Sequence, residues 1–96
     1  MGITETIKEL IELLVRKIVD KPNEIEVVVA SSTKSIIVQI KSAKNDIGKI
    51  VGRTGRTINA LKIIATVVKN TQFLGDKKDV NIEIIEDEKS NFNKRN

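Results

Sequence analysis

Three of the chain's five glycines fall in one short stretch, Gly48-Lys-Ile-Val-Gly52-Arg-Thr-Gly55-Arg-Thr-Ile58, together with the cations Lys49, Arg53 and Arg56. Glycine in a helix interior costs about 1 kcal/mol relative to alanine, so this clustering calls for a turn or for close approach by a ligand. Cationic side chains beside backbone that lacks Cβ atoms are suited to holding an anion, a phosphate above all. Two phosphate loops are excluded by spacing. Counted from Gly48, a Walker loop would need its second glycine where Arg53 stands, and a dinucleotide fingerprint needs G-x-G-x-x-G directly after a strand. What remains is a helix, a G-x-x-G turn (Gly52-Arg53-Thr54-Gly55) and a second helix. Gly52 is expected to end the first helix in a left-handed conformation, with Thr54 or Gly55 starting the second. Gly48 is assigned to close helix packing.

Other chemistries lack their residues. The chain has no cysteine and no histidine, which removes disulfides, zinc–thiolate sites, thiol nucleophiles and the usual proton shuttle at neutral pH. Carboxylates such as Glu83 and Glu86 are scattered, and no nucleophile–base pair is evident. The sequence therefore reads as a binding protein and not an enzyme, with no metal site and no cofactor. No apolar run approaches the roughly 20 residues that span a bilayer, and the N-terminus has no signal-peptide pattern. The expected location is cytoplasmic, with no membrane partner.

Charge is distributed unevenly. Residues 34–69 carry eight bases against one acid, Asp46, whereas residues 1–33 hold four bases and six acids, and residues 70–96 five and six. The positive excess thus surrounds the glycines, which favours a polyanionic partner. Aromatic residues are scarce, Phe73 and Phe92 being the two present. A recognition surface built on aromatic base stacking is therefore not expected.

The elements that must position this stretch follow from periodicity. Ile3, Ile7, Leu10, Ile11, Leu14 and Ile18 have helical spacing. Thr4 or Thr6 is expected to cap this helix, Thr6 with Glu9 fitting a capping box, and Pro22-Asn23 to end it. The β-branched run Ile25–Ala30 predicts a strand, Ser31–Lys34 a turn, and the alternation of Ile36, Val38 and Ile40 a second strand paired as a hairpin. A short helix over Asp46–Val51 follows, capped by Asn45 or Asp46. The longer helix after the glycines is predicted to bury Ile58, Leu61, Ile64, Ala65 and Val68. After a loop at Leu74–Lys78, Val80, Ile82 and Ile84 predict a third strand. The order α-β-β-α-α-β implies an α+β, two-layer domain, with a three-stranded sheet and its helices packed on one face. Residues 1–86 form this domain, and 87–96 are expected to be a disordered polar tail.

The pattern Gly48-x-Ile50-Val51-Gly52-x-x-Gly55-x-x-Ile58, between two helices and after two strands, resembles the K-homology (KH) domain. Its signature is an apolar pair, G-x-x-G, then an apolar residue three positions on. The element order looks like the type II arrangement, and the resemblance covers Ile3 to Glu86. Among such proteins the chain is similar to the small bacterial KhpA (YlqC-type) family. The resemblance implies a single-stranded RNA-binding function, with the G-x-x-G loop clamping about four nucleotides by their backbone. It implies RNA contacts at Gly52, Arg53, Thr54, Gly55, Arg56 and Lys49, with Lys44 and Lys62 as outer phosphate contacts. Ile47 and Ile50, with Val51 and Ile58, are candidate walls of an apolar base groove, although core packing is the commoner role for such residues. The family further implies an RNA chaperone or post-transcriptional regulator linked to cell shape and envelope growth. Its members act as homodimers or as heterodimers with a larger KH protein of the KhpB/Jag type. The alternative is a dimerisation or interaction scaffold with little RNA affinity.

Overall fold

A computed structural model describes residues 2–85; the predicted tail at 87–96 lies outside the described residues. Helix α1 (Ile3–Ile18) buries Ile7, Ile11 and Val15 completely, as the 3.6-residue period requires. Its start differs from the predicted capping box. Gly2 is the N-cap, without a side-chain cap, and Thr6 lies inside the first turn, where its hydroxyl donates to the Gly2 carbonyl at 3.0 Å. A threonine hydroxyl spent on the preceding turn's carbonyl gives the helix no cap. After Val19 the chain leaves the helix and makes one tight turn over Pro22–Glu24.

Strands β1 (Glu26–Ser31) and β2 (Ser35–Lys41) form the expected antiparallel hairpin. The Ser32 side chain organises its turn by accepting the Ser35 N–H at 3.1 Å and donating to the Ser35 carbonyl at 3.2 Å. Strand β3 (Asp79–Ile85) pairs with β2 in parallel, aligning Ile36 with Val80, Val38 with Ile82 and Ile40 with Ile84. The order β1-β2-β3 is therefore mixed. The parallel pairing needs a crossover between β2 and β3. The chain supplies it as helices α2 (Ile47–Val51) and α3 (Arg56–Gln72), with the glycine turn between them.

One face of the sheet presents Val27, Ile36, Val38, Ile40 and Val80 to the helices, all essentially inaccessible. Helices α1 and α3 cover this face, and Ile50 of α2 joins the same cluster. The two-layer α+β architecture and its order are thus as the sequence predicts. Within α3 the buried stripe is Leu61, Ala65 and Lys69, while Ile58 and Val68 are half-buried. Ile64 is 41% exposed, contrary to expectation. It lies about 100° around the helix from Ala65, outside the narrow face that meets the sheet and α1.

Lys69 is the unexpected core residue, 2% exposed. Its ammonium donates to the Asp76 carbonyl at 3.1 Å and to Asp76 Oδ1 at 3.3 Å, so the buried charge is paired. Asp76 also accepts the Lys78 N–H at 2.8 Å. These bonds fix the loop that returns α3 to β3.

Candidate nucleic-acid interface

Helix α2 has only five residues, too few to be stable without tertiary support. Its N-terminal anchor is Asp46, which is 1% exposed. Asp46 does not cap its own helix as predicted. Its two carboxylate oxygens instead accept the backbone N–H groups of Asp20 and Lys21, each at 3.0 Å, where the chain leaves α1. The Asp20 N–H, with help from that of Lys21 and the charge of Lys49, holds the Asp46 carboxyl below its ordinary range, although burial opposes the shift. At its other end α2 is held by Ile50, which has no exposed surface. Burying an isoleucine contributes about 1.5–3 kcal/mol. Ile50 is therefore a core residue and cannot line a base groove. Ile47 remains half-buried.

The turn itself departs from the expected geometry in an informative way. Gly52 has φ 76° and ψ 171°, a region essentially restricted to glycine but distinct from the left-handed helical one. Its N–H closes α2 on the Gly48 carbonyl at 2.8 Å. A Cβ at Gly52 would lie 2.2 Å from Thr57 Oγ1, so this position is closed to any side chain. The left-handed residues are Thr54 (φ 54°, ψ 29°) and Gly55 (φ 75°, ψ 14°). Gly55 donates its N–H to the Gly52 carbonyl at 3.1 Å, closing the turn. A Cβ at Gly55 would meet nothing within 4 Å, so the space over that residue is open. A Cβ at Gly48 would also meet nothing, and the residue is exposed, so Gly48 does not serve close packing.

Arg53, Thr54 and Arg56 are exposed on this turn, and no side chain caps the start of α3. Among the described residues neither arginine pairs with a carboxylate, nor do Lys44 and Lys62, both exposed. Lys49 differs, because its ammonium forms an ion pair with Asp20. The hydrogen bond to the Asp20 carboxylate raises the Lys49 pKa against the opposing effect of burial, and the negative charges of Asp20 and Asp46 add to it.

Beside the turn lies an open groove of about 400 Å³, lined by Thr54, Gly55, Ile58, Asn59, Lys62, Asn81 and Ile82. Its walls come from the turn, the first turns of α3 and strand β3. The structure thus brings Thr54, Gly55 and Lys62 together at the groove, with Arg53 and Arg56 flanking them in the chain. Neither Lys44 nor Ile47 lines it. Asn59, Asn81 and Ile82 are lining residues that sequence reasoning missed. Ile82 was visible as a strand residue, but nothing local showed that β3 would come to lie beside the start of α3. Unpaired cations, an open backbone turn and a groove that mixes amide and aliphatic side chains together form a surface suited to a single-stranded polyanion with bases attached.

A helix–GxxG–helix unit crossing between the parallel strands of an α-β-β-α-α-β mixed sheet defines a type II KH domain. A profile described as "KhpA/KhpB, KH domain" matches residues 8–84. RNA-binding protein KhpA of Chlamydia trachomatis is 38% identical over 80 residues, covering 83% of this chain and 97% of that protein. RNA-binding protein KhpA of Clostridium perfringens is 38% identical over 78 residues, covering 81% and 99%. The chain belongs to the KhpA/KhpB KH-domain family.

Proposed function

We propose that the chain is a non-enzymatic, single-stranded RNA-binding protein that holds the RNA backbone on the Gly52–Gly55 turn. The observation that carries this reading is the pairing of the open turn, with free Arg53 and Arg56, to the groove reaching Asn81 and Ile82. Phosphates contact the turn backbone and the two arginines, and the Thr54 hydroxyl joins them once it rotates away from the Arg53 carbonyl, while Lys62 serves a neighbouring phosphate. Bases enter the groove, packing on Ile58 and Ile82 and meeting the amides of Asn59 and Asn81. Amides can donate and accept, so base discrimination falls to these two residues and not to the backbone contacts. The relatives' printed name, RNA-binding protein KhpA, supports the same ligand class.

A single KH module grips few nucleotides, so useful affinity calls for a second module acting through effective concentration. The outer face of α3 offers a surface for this: Ile63 and Val67 are 54% and 57% exposed, with Ile64 and Ala60 beside them. We assign self-association to this face. The family description, which couples KhpA with KhpB, supports pairing with a larger KhpB/Jag-type protein as the alternative assembly. In the cytoplasm such a complex would act as an RNA chaperone or post-transcriptional regulator. A role in cell shape and envelope growth rests on family resemblance alone.

The test is the double substitution Arg53→Asp with Thr54→Asp, followed by RNA binding to the full chain. Both side chains are exposed, and aspartate tolerates positive φ better than threonine, so the fold is retained. Loss of binding is expected. Unchanged affinity in the folded variant would exclude the turn as the RNA cradle and favour the scaffold reading.

A further inference from the structure

Five bases run from Lys44 to Lys62 inclusive, and of these five Lys49 alone forms an ion pair among the described residues. Its partner Asp20 is not a chance neighbour. The Asp20 N–H is anchored on the buried Asp46 carboxylate at 3.0 Å, and the adjacent Lys21 N–H is anchored on the same group. Asp46 opens α2, and Lys49 lies within that helix, three residues before Gly52. The clamp that fixes the short helix therefore also fixes the backbone carrying the Asp20 carboxylate beside Lys49. An oxygen anion is thereby presented to the ammonium much as a phosphate oxygen would be. The contact remains exposed on both sides, with the two side chains 43% and 73% accessible, so an incoming anion can reach it.

We propose that Asp20 is an affinity-setting residue, an internal substitute for phosphate that occupies Lys49 until a nucleic-acid strand displaces it. This deepens the RNA-binding reading and rests on it. Its consequence is that the wild-type protein withholds one of the cations nearest the turn. Lys49 contributes to a complex only after an ion pair has been broken, which weakens every complex by a similar factor. The backbone N–H of residue 20 serves the clamp whatever the side chain, so the carboxylate itself is not needed to hold Asp46.

The experiment compares wild type with Asp20→Asn, Lys49→Ala and the Asp20→Asn/Lys49→Ala pair, all as full chains. Each is titrated with short single-stranded RNA oligonucleotides of randomised sequence at fixed low salt. Asp20→Asn should bind about 2- to 5-fold tighter, the range that an exposed ion pair yields when it need not be broken. The gain should vanish when Lys49→Ala is also present, a coupling that the double-mutant cycle isolates. Equal or weaker binding by Asp20→Asn would overturn the proposal. So would a gain that survives Lys49→Ala, since it would then report only the lost negative charge. A parallel arm carries Arg53→Asp/Thr54→Asp to separate the two readings. If that arm loses binding while Asp20→Asn gains none, only the role of Asp20 falls. If no protein binds RNA, both readings fall.

Discussion

Thr54 is the residue at which the chain accepts strain. A β-branched residue at φ 54° is a genuine outlier, and holding it there costs on the order of 1–2 kcal/mol. Its hydroxyl donates to the Arg53 carbonyl at 2.6 Å, a bond within the turn that is given up when the hydroxyl turns to a phosphate. Thr54→Asn should stabilise the domain by about 1 kcal/mol, read as a higher urea midpoint with an unchanged slope. A midpoint lower than wild type would show that the threonine geometry is not strained. The two turn glycines should separate in the same assay. Gly52→Ala brings both a forbidden backbone region and the clash with Thr57, and should cost at least about 2–3 kcal/mol. Gly55→Ala meets open space and should cost only about 1 kcal/mol of left-handed strain. Equal losses at the two positions would contradict the turn geometry. The sequence showed that glycine was needed here, but not which glycine held which conformation. A G-x-x-G pattern fixes spacing, whereas φ and ψ depend on how α3 returns against α2.

At the scale of elements, the short helix α2 depends on a buried carboxylate. Asp46 has a folded pKa below its ordinary value of 3.8, so its contribution is present above that pH. It is lost as pH falls through the depressed folded value, because protonation weakens the acceptor of two backbone N–H groups. Asp46→Asn should therefore lower the urea midpoint at neutral pH. It should also flatten the acid limb of the stability–pH curve below about pH 4. An acid limb as steep as that of the wild type would assign the loss to other carboxylates, such as Asp76, whose pKa is lowered chiefly by the Lys78 N–H. Sequence reasoning placed Asp46 next to α2 but gave it a local capping role, because its true partners are 25 and 26 residues away. Lys69 was missed although its partner is only seven residues on. Its partner Asp76 belongs to a loop whose return path only the parallel pairing of β3 defines. By contrast α1, the hairpin, α3 and β3 were legible, since periods of 3.6 and 2 residues follow from burial of one face. The outer face of α3 carries a further prediction. Ile63→Asp with Val67→Asp should leave stability within about 0.5 kcal/mol, as expected for exposed positions, and convert an assembly to monomers in sedimentation analysis. A wild-type protein that is monomeric at high concentration would contradict self-association through this face.

Taken whole, the molecule separates its duties by surface. The interior face of the sheet and two helices make the core. The turn, with Arg53 and Arg56, and the groove with Lys62 lie together, and the outer side of α3 exposes Ile63 and Val67. Charge asymmetry along the chain points to the same region, since the middle segment holds the entire positive excess. It could not foretell which bases are free, because the ion pair that occupies Lys49 comes from Asp20, 29 residues earlier in the chain. The most direct test of the account is an NMR titration of the full chain with single-stranded RNA. Saturable amide shifts should centre on Gly52–Asn59 and extend to Lys62, Asn81 and Ile82. Saturable shifts confined to the outer sheet residues Val28, Ile37 and Gln39, with Gly52 to Gly55 unmoved, would contradict it.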